Sequence, residues 1–121
     1  MNYDLEKRTE AFAHAVLDLI KRITLTPINK NSMEQLIKSS SSVGANYCEA
    51  TEAESKRDFI HKISLSKKEV KESRYWLKFL KLTDQNLEVE VNGLIKEAQE
   101  LLFIFSKIIK SSRENLLKID H

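Results

Sequence analysis

Five cations in the third quarter of the chain, Lys67, Lys71, Arg74, Lys78 and Lys81, recur at steps of four, three, four and three. That spacing keeps them on one side of a helix. Such a row can track a phosphate backbone, because each phosphate it meets releases a condensed counterion. Each cation sits one position after a core residue of the repeat, so the row flanks the core by about 100° rather than pointing directly away from it. The plainer alternative is a solvated flank, or one salt-bridged by glutamates of adjacent helices. Among the cations stand Tyr75, Trp76 and Phe79. The hydrophobic seam needs only Leu77 and Leu80 there, so one ring can broaden the core but not all three. Exposed aromatic surface commonly marks association, which makes these three the candidate oligomer interface.

Other chemistry is sparse. Carboxylate-bridged metals in helix bundles take a glutamate from each of two helices and an acid-x-x-His pair from each of two others. Asp58 and His61 form one such pair and His14 follows Glu10 by four, which falls short of a metal site and leaves His61 as a solvated surface histidine. Cys48 with a distant histidine could make a nucleophilic dyad. It lies on a seam of small residues, however, where a buried and inert thiol is expected. The two glycines are too far apart to cradle a phosphate. The expectation is a non-enzymatic protein with no catalytic residue, metal or cofactor.

The composition narrows the class. With 121 residues, two glycines and one proline, the chain has room for one domain and too few turn residues for a β-rich fold. Its net charge is only +2, but residues 55–82 hold nine Lys or Arg against three Asp or Glu. No apolar run approaches the roughly 18 residues of a membrane span. The segment "MNYDLEKRTEAF" lacks the apolar stretch of a secretory signal, and a single cysteine suits a reducing interior. A cytoplasmic protein without membrane contact is expected.

Four periodic segments must position these residues. Leu5, Thr9, Phe12, Val16, Ile20 and Ile23 form the first stripe, widened by Ala13 and Leu17 and stopped by Pro27. In the third, Ser55 caps a helix with Asp58 at its third position, and Phe59, Ile63, Ser66, Val70, Ser73, Leu77 and Leu80 make the seam. After the polar break "TDQN", the fourth runs Leu87, Val91, Leu94, Ala98, Leu101, Phe105 and Ile108, with Ile95, Leu102 and Ile109 beside it.

The second segment contains "IKSSSSVGANYCEA", which resembles a linker. Yet Met33, Leu36, Ser40, Val43, Tyr47 and Ala50 keep helical phase through it, beside a small-residue seam of Ile37, Ser41, Gly44 and Cys48. A linker has no reason to hold that phase. It reads as a helix capped near Asn31, whose serines bond back to their own backbone. The whole is an all-α, antiparallel up-down-up-down four-helix bundle, one domain over 1–121 with helices near 4–25, 32–51, 56–82 and 87–117 and a frayed tail from Arg113.

The stretch from Leu36 to Leu80 resembles the signature of four-helix bundle proteins encoded in intervening sequences of 23S ribosomal RNA genes. Ser42, Asn46 and Glu49 match on helix two. Asp58, Phe59, Ile60, Lys68, Glu69, Glu72, Tyr75, Trp76 and Leu77 match on helix three. Many relatives have glycine where Ala50 follows Glu49 here, a change that lengthens helix two or alters the turn. The resemblance implies a bacterial cytosolic protein forming a ring-like homopentamer. It also implies kinship with accessory proteins of diversity-generating retroelements, which bind a reverse transcriptase and nucleic acid. Ser42, Asn46, Glu49, Lys68 and Glu72 are expected as structural polar residues. Asn46 and Glu49 could bond each other or Lys68, and Lys68 could pair with Glu72. The expected function is RNA or DNA binding through the basic stripe. The alternative is a scaffold for a protein partner such as a reverse transcriptase, without direct nucleic-acid binding.

Overall fold

The computed structural model describes the backbone of residues 4–120 and the side chains of residues 4–118; residues 1–3 and His121 of the expected domain lie outside the described residues. Four helices follow one another: α1 (Leu5–Lys21), α2 (Lys30–Thr51), α3 (Lys56–Thr83) and α4 (Glu88–Asp120), with a 3-10 turn at Gln85–Leu87 before the last. Each packs against its neighbours in a closed ring of helices, α1 on α2, α2 on α3, α3 on α4 and α4 on α1.

Cross-helix pairs give the directions. Between α2 and α3 the partners are Glu49 with Lys62, Val43 with Ser66 and Ser39 with Ser73. As one number falls the other rises, so the helices are antiparallel. Arg8 meets Glu97 and Glu100 while Arg22 meets Glu90, so α1 and α4 are antiparallel too. The bundle is therefore the up-down-up-down arrangement that short connections impose.

The core is the inner face of the four repeats. Phe12, Val16, Leu36, Val43, Ile63, Val70, Leu77, Leu80, Val91, Leu101 and Phe105 are fully buried, each such side chain contributing about 1.5–3 kcal/mol. The α2 seam runs unbroken through the serines, as its phase requires. Ser39 and Ser40 of α2 are buried, as are Ser66 and Ser73 of α3. Ser39, Ser40 and Ser41 donate to carbonyls three residues back and Ser42 to the carbonyl of Lys38 four back. The Ser73 and Ser39 hydroxyls share a bond of 2.9 Å, and Ser66 Oγ donates to the Val43 carbonyl at 2.9 Å. Each of these buried hydroxyls therefore has a partner.

The helix ends and the α1 stripe depart from the sequence reading in detail. First, α1 ends at Lys21, well before Pro27. Asn29 organises the loop, accepting from the Thr26 N–H at 2.8 Å and donating to the Thr24 carbonyl at 3.0 Å. Second, the same Asn29, not Asn31, stands at the cap position of α2, without a side-chain cap bond. Third, Leu19 is buried in the α1 stripe while Leu17 stays exposed. Fourth, α4 remains helical through Asp120, without the expected tail. Ser55 does cap α3, its Oγ accepting from the Asp58 N–H at 3.0 Å.

The small-residue seam of α2 comes close to α1 at Gly44. A Cβ on Gly44 would lie 3.1 Å from Thr9 Oγ1. A groove of about 380 Å³ runs along this contact, lined by Thr9, Leu17, Ile37, Ser41, Gly44 and Cys48. Cys48 is consequently exposed, not buried.

Candidate nucleic-acid interface

The heptad spacing of α3 sorts its outer residues onto two flanks. Lys62, Glu69 and Trp76 are seven apart, and Lys62 Nζ donates to Glu49 of α2 at 3.0 Å. That flank faces α2. On the other, Lys81 Nζ donates to Asn92 Oδ1 of α4 at 2.9 Å, and Lys67, Lys71, Arg74 and Lys78 line up with it at the same alternation of four and three. The cations therefore border α4 and Trp76 borders α2.

Lys71 and Lys78 are exposed, and Lys67, Arg74 and Lys81 are half-buried. Among the described residues no ion pair involves any of the five. The carboxylates that could have neutralised them are engaged or placed elsewhere. Glu97 and Glu100 hold Arg8 of α1 at 2.6 and 3.1 Å, and Glu97's hydrogen bond raises the guanidinium above its ordinary value. Glu49 holds Lys62, and that hydrogen bond raises the ammonium likewise. Glu69 sits on the α2 flank, where burial and then repulsion from Glu72 push its carboxyl above the usual range.

The α4 surface beside the stripe is not visible in the sequence as a charge run. Continuing from Asn92 at the same 4-3 alternation are Lys96, Gln99, Phe103, Ser106, Lys110 and Arg113, all exposed except the half-buried Ser106. Because α3 and α4 are in register at Lys81 and Asn92, the two rows run side by side. Neither row contains a carboxylate. The signal is diluted in sequence by neutral residues between the cations, and by Glu97, Glu100 and Glu114 on the other flank of the same helix.

The three aromatic residues separate. Trp76 is half-buried against the core, whereas Tyr75 is 60% and Phe79 40% exposed. The rings touch edge to face, with centroids 4.9 Å apart for Tyr75 and Trp76 and 6.1 Å for Trp76 and Phe79. Leu82, also exposed, extends this surface by one turn.

The polar residues on α2 bond differently from expectation. Asn46 Nδ2 donates to the Ser42 carbonyl of its own helix at 2.9 Å, so it reaches neither Glu49 nor Lys68. Glu49 pairs with Lys62 because the serine contacts set the α2–α3 register, and that register brings Lys62 rather than Lys68 opposite it. Lys68 and Glu72, both exposed, form no ion pair with each other or elsewhere among the described residues. His61 is exposed, and no group of three or more His, Cys, Asp or Glu converges among the described residues. No helix among them is long and apolar enough to cross a membrane.

Residues 1–107 match the family described as 23S rRNA-intervening sequence protein. A solved structure from Bacteroides thetaiotaomicron, a protein of unknown function from the S23 ribosomal protein family, is similar at 27% identity and a TM-score of 0.76. The similarity covers 87% of this chain and 97% of that one. No curated protein matches. With the match running through all but the end of α4, the chain belongs to the 23S rRNA-intervening sequence protein family.

Proposed function

We propose that the protein is a non-enzymatic, cytoplasmic RNA-binding protein that engages the phosphate backbone through Lys67, Lys71, Arg74, Lys78 and Lys81, and that it works as a homo-oligomer, a pentamer, repeating this row in each copy. One observation carries the reading: the five cations extend over about 21 Å of helix, and none is held in an ion pair among the described residues. A cation already held by a carboxylate has little to gain from a phosphate, whereas a free one gains the whole counterion-release term. The family's association with 23S rRNA supports RNA as the polyanion. An exposed free thiol at Cys48 suits a reducing compartment. Repetition by symmetry would turn a modest row into a strong field.

The test is RNA affinity measured across salt. Five phosphate contacts per protomer give a slope of log Kobs on log salt of about −3.5 for a single strand or about −4.5 for a duplex. Replacing Lys71, Arg74 and Lys78 together by alanine should flatten the slope by about 2 and weaken binding on every RNA sequence alike. Binding that ignores salt, or no binding at low salt, refutes the proposal.

The exposed Tyr75 and Phe79 favour a second reading, a scaffold that holds a partner protein such as a reverse transcriptase without touching nucleic acid. Capture of that partner would then survive high salt and be lost on replacing both rings by alanine.

A further inference from the structure

The row on α4 holds one residue that phosphate contacts alone do not explain. Phe103 is 63% exposed, in the middle of a polar and basic surface. Lys107 holds its ammonium over the ring, 5.4 Å from its centroid, while most of the side chain stays open to solvent. Gln99 lies one turn before the ring, with Lys96 and Lys110 two turns to either side. A groove of about 480 Å³ opens beside the ring between α4 and α1, walled by Lys96, Gln99 and the Arg8–Glu100 pair, whose carboxylate is held by the guanidinium at 3.1 Å.

We infer that the α3–α4 face takes single-stranded RNA, with Phe103 as the platform on which an unpaired base stacks. The inference rests on the RNA reading above and names the substrate class of the same face. A base inside a duplex is stacked on both sides and offers no face to a protein ring, whereas an unpaired base does. Gln99 brings both a donor and an acceptor to the edge of that base. The lysines to either side meet the flanking phosphates. An apolar protein partner fits this site poorly, because docking would desolvate the ammonium groups around the ring without pairing them.

Fluorescence anisotropy with a short labelled single-stranded RNA, the matching DNA strand and the matching RNA duplex tests this. Phe103→Ala should weaken the single-stranded RNA complex by about 5- to 150-fold, the usual loss of one stacked base, and leave the duplex complex within about twofold. Phe103→Tyr should restore the single-strand affinity. Equal loss on strand and duplex, or no loss on the strand, overturns the inference, and tighter wild-type binding of the DNA strand overturns its assignment to RNA. If Phe103→Ala is silent while the Lys71, Arg74 and Lys78 triple replacement still releases RNA, stacking falls and the backbone reading stands. If the wild-type protein binds none of the three at low salt, both fall.

Discussion

Gly44 and Gly93 are the chain's two glycines, both inside helices, and the structure gives them opposite expectations. An alanine at either position gains about 1 kcal/mol of helix propensity. At Gly93 nothing lies within 4 Å of the added Cβ, so Gly93→Ala should keep the full gain. At Gly44 the Cβ would stand 3.1 Å from Thr9 Oγ1 and 3.4 Å from Thr9 Cβ. Thr9 is buried and cannot easily swing aside, since its hydroxyl donates to the Leu5 carbonyl at 2.7 Å, with the Glu6 carbonyl at 3.2 Å. Overpacking of this kind costs about 1–3 kcal/mol. Gly44→Ala should therefore lie about 1–3 kcal/mol below Gly93→Ala, and because both carry the same propensity term the difference isolates the helix contact. For a chain of this length that is a separation of about 4–12 °C in Tm. Thermal melts of the two variants, and of Gly44→Ala combined with Thr9→Ala, give the answer. The double variant should lose the penalty attributable to the clash. If Gly44→Ala melts as high as Gly93→Ala, the close approach of α1 to α2 at Thr9 is wrong.

The α2–α3 interface supplies two more stability tests. Ser66→Ala removes the donor to the Val43 carbonyl, which still accepts from its own helix; urea unfolding should show a loss of about 0.5–1.5 kcal/mol, and an unchanged midpoint would mean the bond contributes nothing. Glu69→Gln should stabilise the protein at neutral pH, because a carboxyl raised by burial and by Glu72 is costly only when ionised. The sign follows from the folded state binding the proton more tightly: the benefit is full above the raised value and fades as pH falls toward the ordinary glutamate value of about 4.3. Melts at neutral and acid pH that show the same gain would contradict it.

The seams are legible in the sequence because buried positions in a bundle repeat every three and four residues whatever the neighbours are. The Ser55 cap is legible because Ser55 and Asp58 are adjacent on the same turn. What a single helix cannot encode is its register and rotation against another. Pairing Glu49 with Lys62 instead of Lys68 is a register fact, set by two serine contacts on different helices. The exposure of Cys48 is a rotation fact: α1 covers α2 at Gly44 and leaves the lip beside it open. The end of α1 is misplaced by a sequence reading because Pro27 only bars a helix from continuing, whereas the loop before it is held from beyond the proline by the Asn29 side chain on Thr24 and Thr26. The α4 half of the candidate interface escapes for a related reason. Its cations are separated by Asn, Gln, Ser and Phe, and only the contact of Lys81 with Asn92 lays them beside the α3 row.

The serine contacts between α2 and α3 also bear on the order in which the chain folds. They close segments of 23 and 34 residues, and the Lys62–Glu49 pair closes 13. The Arg8 clamp between α1 and α4 must close 89 and 92 residues. Loop-closure entropy makes the long closure costlier by about 1 kcal/mol, before either pair returns any contact energy. The hairpins of adjacent helices, including α3–α4 where Lys81 and Asn92 close 11 residues, therefore form at lower entropic cost than the seam between α1 and α4, which closes last. Changes at Ser66 should then slow folding, whereas changes at Arg8 should leave the folding rate alone and hasten unfolding.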